Sequence, residues 1–324
     1  MAKVLLGQKI HKDAMNFLKN KGFEIIVSSS PEDEVVRKQI KDIDGLVVRT
    51  ATKLSRETIL AAKRLKVIGR TGKGVDNVDV KAASEKNIPV CNAPEANIMT
   101  VAEHAIAFML ALAKNLKAMD NAVRDLNWEI RNNYVPVDIS GKTLGLVGFG
   151  NIGRAMARKC YNAFNMDIIA YDPFLPEGLE VNFPFKLKGS LDEVFTEADF
   201  VSLHIPYTKQ NHHLVGKNLL GKMKKGSFLI NTSRGGIVEE EALASILKDG
   251  GIAGAALDVF ENEPPQKDNP LLGIERVILT PHSAALTSES SRRMAMHAVE
   301  GVADVLEGRK PRWVFNRNSI KAGK

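Results

Sequence analysis

The chain has 324 residues, 44% of them hydrophobic and 26% charged, with a formal net charge of +7. This is the balance of an ordinary globular protein with length for about two domains, and it excludes a low-complexity or repeat-built chain. The two cysteines, Cys91 and Cys160, form no C-x-x-C and lie near no histidine cluster, which excludes a metal or disulfide scaffold and fits a reducing, cytoplasmic location.

The N-terminal Met-Ala-Lys-Val-Leu-Leu-Gly lacks a signal-peptide core and reads as a first strand at 3–6. Further strands are expected at 22–27, 45–48, 66–69 and 88–91. Between them fall helical stretches at about 11–20, 31–41, 55–64 and 79–86, with Pro31 and Ser55 at helix starts. Strand and helix alternate, so the class is α/β with parallel sheets. From Thr100 to about Leu126 the pattern predicts one long helix, apolar nearly all round at its beginning and hence buried on several sides. Its apolar stretch Ala105–Ala113 is too short to span a membrane. Such a helix suits a domain connector, and its apolar surface predicts a homodimer.

A second set of strands is expected at 143–147, 167–171, 200–205, 227–231, 253–258 and 277–280. The last helix, about 287–307, comes after that set is complete and should cross back to finish the first domain. The domains expected are therefore 1–100 with 285–324, and 101–284, the latter entered through the helix at 100–126.

The most specific signal is Thr143-Leu-Gly-Leu-Val-Gly-Phe-Gly-Asn-Ile-Gly153, a strand running into a helix start through G-x-G-x-x-G. Gly148 permits a tight turn, Gly150 lets a diphosphate approach the backbone, and Gly153 lets helix pack on strand. The N–H groups around Asn151 and Ile152 and the helix dipole favour the anion. The next strand ends in Asp172, 19 residues past Gly153, where a carboxylate takes the adenosine ribose hydroxyls. Pro173-Phe174-Leu175 offers no cation for a 2′-phosphate, so the cofactor expected is NAD. Gly141-Lys142-Thr143 imitates the end of a phosphate-binding P-loop, but Pro136 stands where that loop needs glycine.

In a doubly wound sheet the chemistry lies beyond the carboxyl ends of the strands. Three successive strands there lead into Arg234, Glu263 and His282. Arg234 presents a planar fork for a carboxylate, His282 can carry a proton near neutral pH, and Glu263 can orient the imidazole. The weaker alternatives are a turn residue for Arg234, a solvated loop acid for Glu263 with Glu261 as a rival, and a structural histidine for His282. His204, beside Pro206, follows another strand and lines the cofactor groove in this reading. His11, His104 and His297 fall in helices and His212 and His213 in a polar loop, without metal-ligand spacing. The lysines and arginines are scattered and stacking aromatics are few, so the positive charge suits small anions better than nucleic acid.

With these residues in place the chain resembles the D-isomer-specific 2-hydroxyacid dehydrogenases, and within them the D-3-phosphoglycerate dehydrogenases. The resemblance covers nearly the whole length. It rests on Val47–Lys53, Gly69–Asp79, the glycines at 148–153, His204-Ile-Pro206, Asn231–Gly236, Gly254–Pro264 and Thr280-Pro-His282. It implies a Rossmann-type NAD domain plus a flavodoxin-like substrate domain, both doubly wound parallel sheets, with the active site in the cleft. The implied reaction is the NAD-dependent interconversion of a D-2-hydroxy acid and its 2-oxo acid, without a metal. By the same resemblance Arg234, Glu263 and His282 are the catalytic trio, and Asp258 holds the nicotinamide carboxamide. The cofactor surface is completed by Thr232, Ser233, Arg234, His282 and Ala284. Thr71, Gly72, Lys73 and Gly74 receive the substrate carboxylate.

Arg49, Lys53, Lys73 and Arg131 give more positive charge than one carboxylate needs, and predict a second anionic group, as in 3-phosphoglycerate or phosphohydroxypyruvate. Scattered surface cations are the alternative, with glyoxylate or hydroxypyruvate as substrate. Lys73 and Ser283-Ala-Ala285 depart from the phosphoglycerate pattern, and the sequence ends at Lys324 without the regulatory domains many of those enzymes carry. These departures bear on substrate and serine feedback, not on reaction type. A rival of another class is an NAD-sensing corepressor-like binding protein, which usually carries long disordered tails.

Overall fold

The computed structural model describes residues 1–133, 135–176 and 178–320. It divides into two compact units, one of Met1–Asn97 with Leu286–Lys324 and one of Ile98–Ala285; residues 321–324 of the tail lie outside the described residues.

In the first unit strands β1 (Lys3–Leu6), β2 (Glu24–Val27), β3 (Gly45–Val48), β4 (Val67–Arg70) and β5 (Val90–Cys91) alternate with helices α1 (Lys12–Asn20), α2 (Asp33–Gln39), α3 (Arg56–Ala61) and α4 (Val80–Glu85). The sheet order is β2-β1-β3-β4-β5 and every pairing is parallel. Both faces of such a sheet are covered, which is why β3 and β4 are buried at every residue. Ser55 caps α3 by accepting the Thr58 N–H, as its position predicts. Against one face lie Val4, Leu6, Val47, Val67, Val299 and Val302, all fully buried. Each such side chain contributes about 1.5–3 kcal/mol by leaving water. Val299 and Val302 belong to the last helix, Ser288–Leu306, which packs so closely that a Cβ on Gly69 would stand 2.9 Å from the Ala298 carbonyl oxygen.

The second unit opens with α5 (Ile98–Ala113), α6 (Leu116–Arg124) and α7 (Ile130–Asn133). The single helix expected over 100–126 is thus broken, with a 58° bend between α5 and α6. Asn115 adopts the left-handed conformation, φ 49°, and its N–H bonds to the Leu112 carbonyl, ending the first helix. No single helix among the described residues is long and apolar enough to cross a membrane.

Then follow β6 (Thr143–Val147), α8 (Asn151–Phe164), β7 (Asp167–Tyr171), β8 (Lys186–Leu187), α9 (Leu191–Glu197), β9 (Phe200–Leu203), α10 (Lys217–Leu220), β10 (Phe228–Asn231), α11 (Glu240–Lys248), β11 (Gly254–Leu257) and β12 (Val277–Leu279). With α12 (Ser288–Leu306), already placed on the first unit, the helices are complete. The sheet order is β12-β11-β10-β9-β6-β7-β8, parallel throughout. This is the Rossmann order extended by one strand. The direction of winding reverses between β6 and β9, the switch point at which nucleotides bind such sheets. The exposed two-residue edge strand β8 has no apolar alternation to reveal it in the sequence.

Candidate active site

At the switch point the chain leaves β6 through Gly148, whose φ of +93° is open to glycine and strained for other residues. A Cβ there would lie 2.8 Å from the His204 carbonyl oxygen, and one on Gly153 would lie 2.4 Å from the Gly148 carbonyl oxygen. At Gly150 a Cβ would meet nothing within 4 Å, and no side chain caps the N-terminus of α8 there. The outer side of the turn is therefore open beside the first-turn N–H groups of this helix. Asn151 is exposed and Ile152 half-buried at this helix start. Arg154 bonds the Asn151 side chain at 2.7 Å.

The Asp172 carboxylate accepts the N–H groups of Phe149 (2.9 Å) and Phe174 (3.0 Å), which fixes it beside the glycine turn. His204 lies past β9 with its Nε2 2.9 Å from the Ser202 hydroxyl, and Pro206 is exposed beyond it. These residues fit a dinucleotide on this chain's own geometry. A further sign is the Thr232 hydroxyl, buried and without a hydrogen-bond partner.

The loop after β10 folds over the buried Asn231 side chain. Its Oδ1 accepts the N–H and hydroxyl of Ser233, and its amide donates to the Arg234 carbonyl at 3.0 Å. Arg234 Nη1 donates to the Ser233 carbonyl at 2.7 Å. After β11, Glu263 Oε1 accepts the Phe260 N–H at 3.2 Å while Oε2 stands 2.7 Å from His282 Nδ1. Burial alone would raise the Glu263 carboxyl. The hydrogen bond and charge of His282, the Phe260 N–H and the nearby Arg234 charge outweigh it and hold the group below the usual carboxylate range. Glu263 is thus an anion that orients the imidazole through Nδ1. Glu263, not Glu261, is the histidine's partner.

His282 itself has φ 50°, a left-handed conformation that costs energy and is held from outside. Its N–H bonds to the Asp258 carbonyl at 2.7 Å. The Asp258 side chain, 1% exposed, gathers the rest of the loop. Oδ1 accepts the Thr280 hydroxyl (2.6 Å) and the Ser283 N–H (2.7 Å), and Oδ2 accepts the Ala284 N–H (2.8 Å).

A second clamp was not foreseen in the sequence. Glu240, the first residue of α11, donates its N–H to Glu261 Oε1 at 2.9 Å, and Glu261 donates its own to Glu240 Oε1 at 2.8 Å. Asn269 bonds the other Glu240 oxygen, and His213 Nε2 lies 3.0 Å from Glu261 Oε2. Burial, with Glu261's charge adding to it, raises the Glu240 carboxyl. Gly235 rests directly on the Phe260 carbonyl, where a Cβ would stand 1.9 Å from that oxygen.

In the first unit Thr71, Gly72, Lys73 and Gly74 leave the carboxyl end of β4. The Thr71 carbonyl accepts Arg70 Nη1 (2.7 Å), that of Gly72 the Ala93 N–H (2.9 Å), and that of Lys73 the Asn92 amide (2.8 Å). These bonds fix the loop's peptide planes. Gly72 has φ +149°, and a Cβ there would collide with the Arg70 guanidinium. Arg70, 9% exposed, is a supporting residue that the sequence reading passed over. Arg49 follows β3 and donates to the Lys9 carbonyl at 3.2 Å. Arg131 lies exposed in α7 of the second unit.

Residues 106–284 match the D-isomer specific 2-hydroxyacid dehydrogenase, NAD binding domain. The chain belongs to that family. Among curated relatives, the D-3-phosphoglycerate dehydrogenase of Methanocaldococcus jannaschii is 41% identical over 99% of this chain and 60% of its own length. The hydroxypyruvate reductase of Thermotoga maritima is 40% identical over 93% of this chain and 97% of its own. The chain thus spans about 60% of the phosphoglycerate dehydrogenase relative. Among solved structures, a D-lactate dehydrogenase from Aquifex aeolicus complexed with NAD and lactic acid superposes with a TM-score of 0.84, at 29% identity, over 94% of this chain and 96% of that one.

Proposed function

We propose that the protein is an NAD-dependent dehydrogenase that interconverts a D-2-hydroxy acid and its 2-oxo acid. The observation that carries this is the 2.7 Å His282–Glu263 pair beside Arg234, at the carboxyl edge of a Rossmann sheet. NAD, when bound, supplies the hydride acceptor or donor for substrate C2. The chain's own residues do the rest. His282 takes the hydroxyl proton during oxidation and returns it to the oxo group during reduction, and Glu263 stabilises the imidazolium between these events. Arg234 holds the substrate carboxylate. In the first unit Thr71 and Gly72 already donate their N–H groups to the Val48 and Arg70 carbonyls, so the expectation that the whole 71–74 loop offers N–H groups to an anion is corrected at those two residues. Gly148, Gly150, Asn151, Ile152 and Gly153 take the diphosphate, Asp172 the ribose, Asp258 the carboxamide. His204, Pro206, Thr232, Ser233 and Ala284 line the same surface.

For the substrate we favour 3-phosphoglycerate and phosphohydroxypyruvate. In the first unit Lys9, Arg49, Lys53 and Lys73 all follow the carboxyl ends of the adjacent strands β1, β3 and β4, a density of positive charge suited to a second anion. Similarity to a hydroxypyruvate reductase, 40% identical over 93% of this chain, supports the unphosphorylated acids as the second reading. Reduction of phosphohydroxypyruvate, hydroxypyruvate, glyoxylate and pyruvate by NADH, measured side by side, decides between them. Equal efficiency with hydroxypyruvate or glyoxylate overturns the phosphate reading. NADH binding without turnover of any acid would point to a nucleotide-sensing protein.

A homodimer and a cytoplasmic location complete the proposal. Leu116 and Val123 on α6 are about half exposed, and Leu126 and Trp128 just beyond it more so, a concentration of apolar surface that a second copy would cover. Light scattering that gave a monomer at micromolar concentration would refute the dimer. Cys91 and Cys160 are buried free thiols, each pushed up to about 12 by burial, consistent with a reducing compartment.

A further inference from the structure

The sequence offers no role for His104, on α5. The structure places its Nε2 3.2 Å from the Thr280 hydroxyl oxygen, with its ring edge-on to Phe108 at 4.4 Å between centroids. Thr280 in turn stands 2.6 Å from Asp258 Oδ1. The proton positions follow from counting. An ionised carboxylate only accepts, so at 2.6 Å the single Thr280 proton points to Asp258. The Thr280 oxygen is then an acceptor, and His104 must donate to it from Nε2–H. Burial holds the His104 imidazole below the usual histidine range against the opposing charge of Asp258, so the donor is the neutral Nε2–H tautomer.

The Thr280 and Ser283 bonds occupy Asp258 Oδ1, while Oδ2 carries only the Ala284 N–H among the bonds described above. Oδ2 therefore has an acceptor site left, and the plane of the carboxylate decides where it points. We propose that His104 is a positioning residue for the nicotinamide end of the cofactor site, acting through Thr280 to set the direction in which Asp258 Oδ2 accepts the carboxamide. The proposal rests on the reading that Asp258 holds that carboxamide. His104 touches neither cofactor nor substrate in this account. It supplies a directed N–H that fixes the Thr280 rotamer, and Thr280 fixes the carboxylate.

The test compares two ligands that share every contact except the last: NADH and ADP-ribose, which lacks the nicotinamide. Affinities are read by calorimetry on His104→Phe, which keeps a ring against Phe108 and removes the donor, and on His104→Gln, which restores an N–H at similar reach. NADH binding should weaken roughly threefold to tenfold in His104→Phe, the loss of one neutral hydrogen bond, and recover in His104→Gln. ADP-ribose binding should stay within about twofold. Thr280→Val should reproduce the effect, and adding His104→Phe to it should weaken NADH no further, because both act on one chain of bonds. If NADH and ADP-ribose weaken together, or if neither changes, the proposal is overturned. Asp258→Asn separates the two levels. If it leaves the NADH to ADP-ribose ratio unchanged, the carboxamide reading fails and the proposal with it. If that ratio falls while His104→Phe leaves it intact, the His104 proposal alone fails.

Discussion

Replacing Glu263 by glutamine tests the proton-handling pair with little change of shape. The wild-type contact is a 2.7 Å bond between Nδ1 of His282 and a carboxylate oxygen, with each side chain about a third exposed. A hydrogen bond to a charged group contributes about 1.5–3 kcal/mol. Solvent screening at this exposure argues for the lower part of that range, about 1.5–2 kcal/mol. At 1.36 kcal/mol per decade, turnover should fall roughly 10- to 30-fold. The assay is steady-state reduction of hydroxypyruvate by NADH, with NADH affinity followed separately by fluorescence. Affinity should hold, because the change leaves the glycine turn and Asp172 alone. A loss of turnover below threefold in a folded variant would refute the assignment of Glu263.

The same substitution has a stability signature. The folded carboxyl titrates below its unfolded value, since the His282 and Arg234 interactions outweigh burial. Its contribution to stability is therefore complete above the unfolded carboxylate range of about 4 and is lost as pH falls through the lower folded value. The difference in Tm between wild type and Glu263→Gln should shrink as the pH is lowered through the acid range. A difference that grew on acidification would contradict the sign of the interaction.

His282→Asn should lower kcat by roughly 10²- to 10⁴-fold, the usual worth of general acid–base catalysis, with NADH affinity nearly unchanged; a loss below threefold removes His282 from the reaction. Arg234→Ala should reduce both turnover and apparent substrate affinity, by about tenfold or more for one charge-assisted bond, and a pure loss of NADH binding would make it a cofactor residue. Asp172→Ala should narrow the preference for NADH over NADPH by roughly 10- to 100-fold. That ratio is the quantity to read, because Asp172 also holds two backbone N–H groups, and equal efficiency with both cofactors in the wild type would sink the preference itself.

Much of the site was legible because glycines and strand ends are local signals. Gly148 and Gly153 have no room for a side chain, and Arg234, Glu263 and His282 each follow a strand that shows as an apolar run, fully buried in β10 and β11 and partly so in β12. What escaped depends on contacts distant in sequence. His104 reads as one more helical histidine, although a polar ring within an apolar stretch signals a partner elsewhere; that partner, Thr280, is 176 residues away. Glu240 at a helix start and Glu261 in a loop are two ordinary acids until each carboxylate is seen to accept the other's N–H. The break at Asn115 is invisible to periodicity because residues on both sides are helical in pattern, and only the left-handed asparagine separates them.

The reciprocal bonds between Glu240 and Glu261, with Gly235 resting on the Phe260 carbonyl, make two loops into a single mechanical part. The peptide that aims the Arg234 guanidinium and the one that carries Glu263 cannot drift separately, since displacing either strips both backbone N–H groups of their acceptors. The angle between fork and carboxylate is then a property of the fold, set before any ligand arrives, and loop length on one side cannot vary without a matching change on the other.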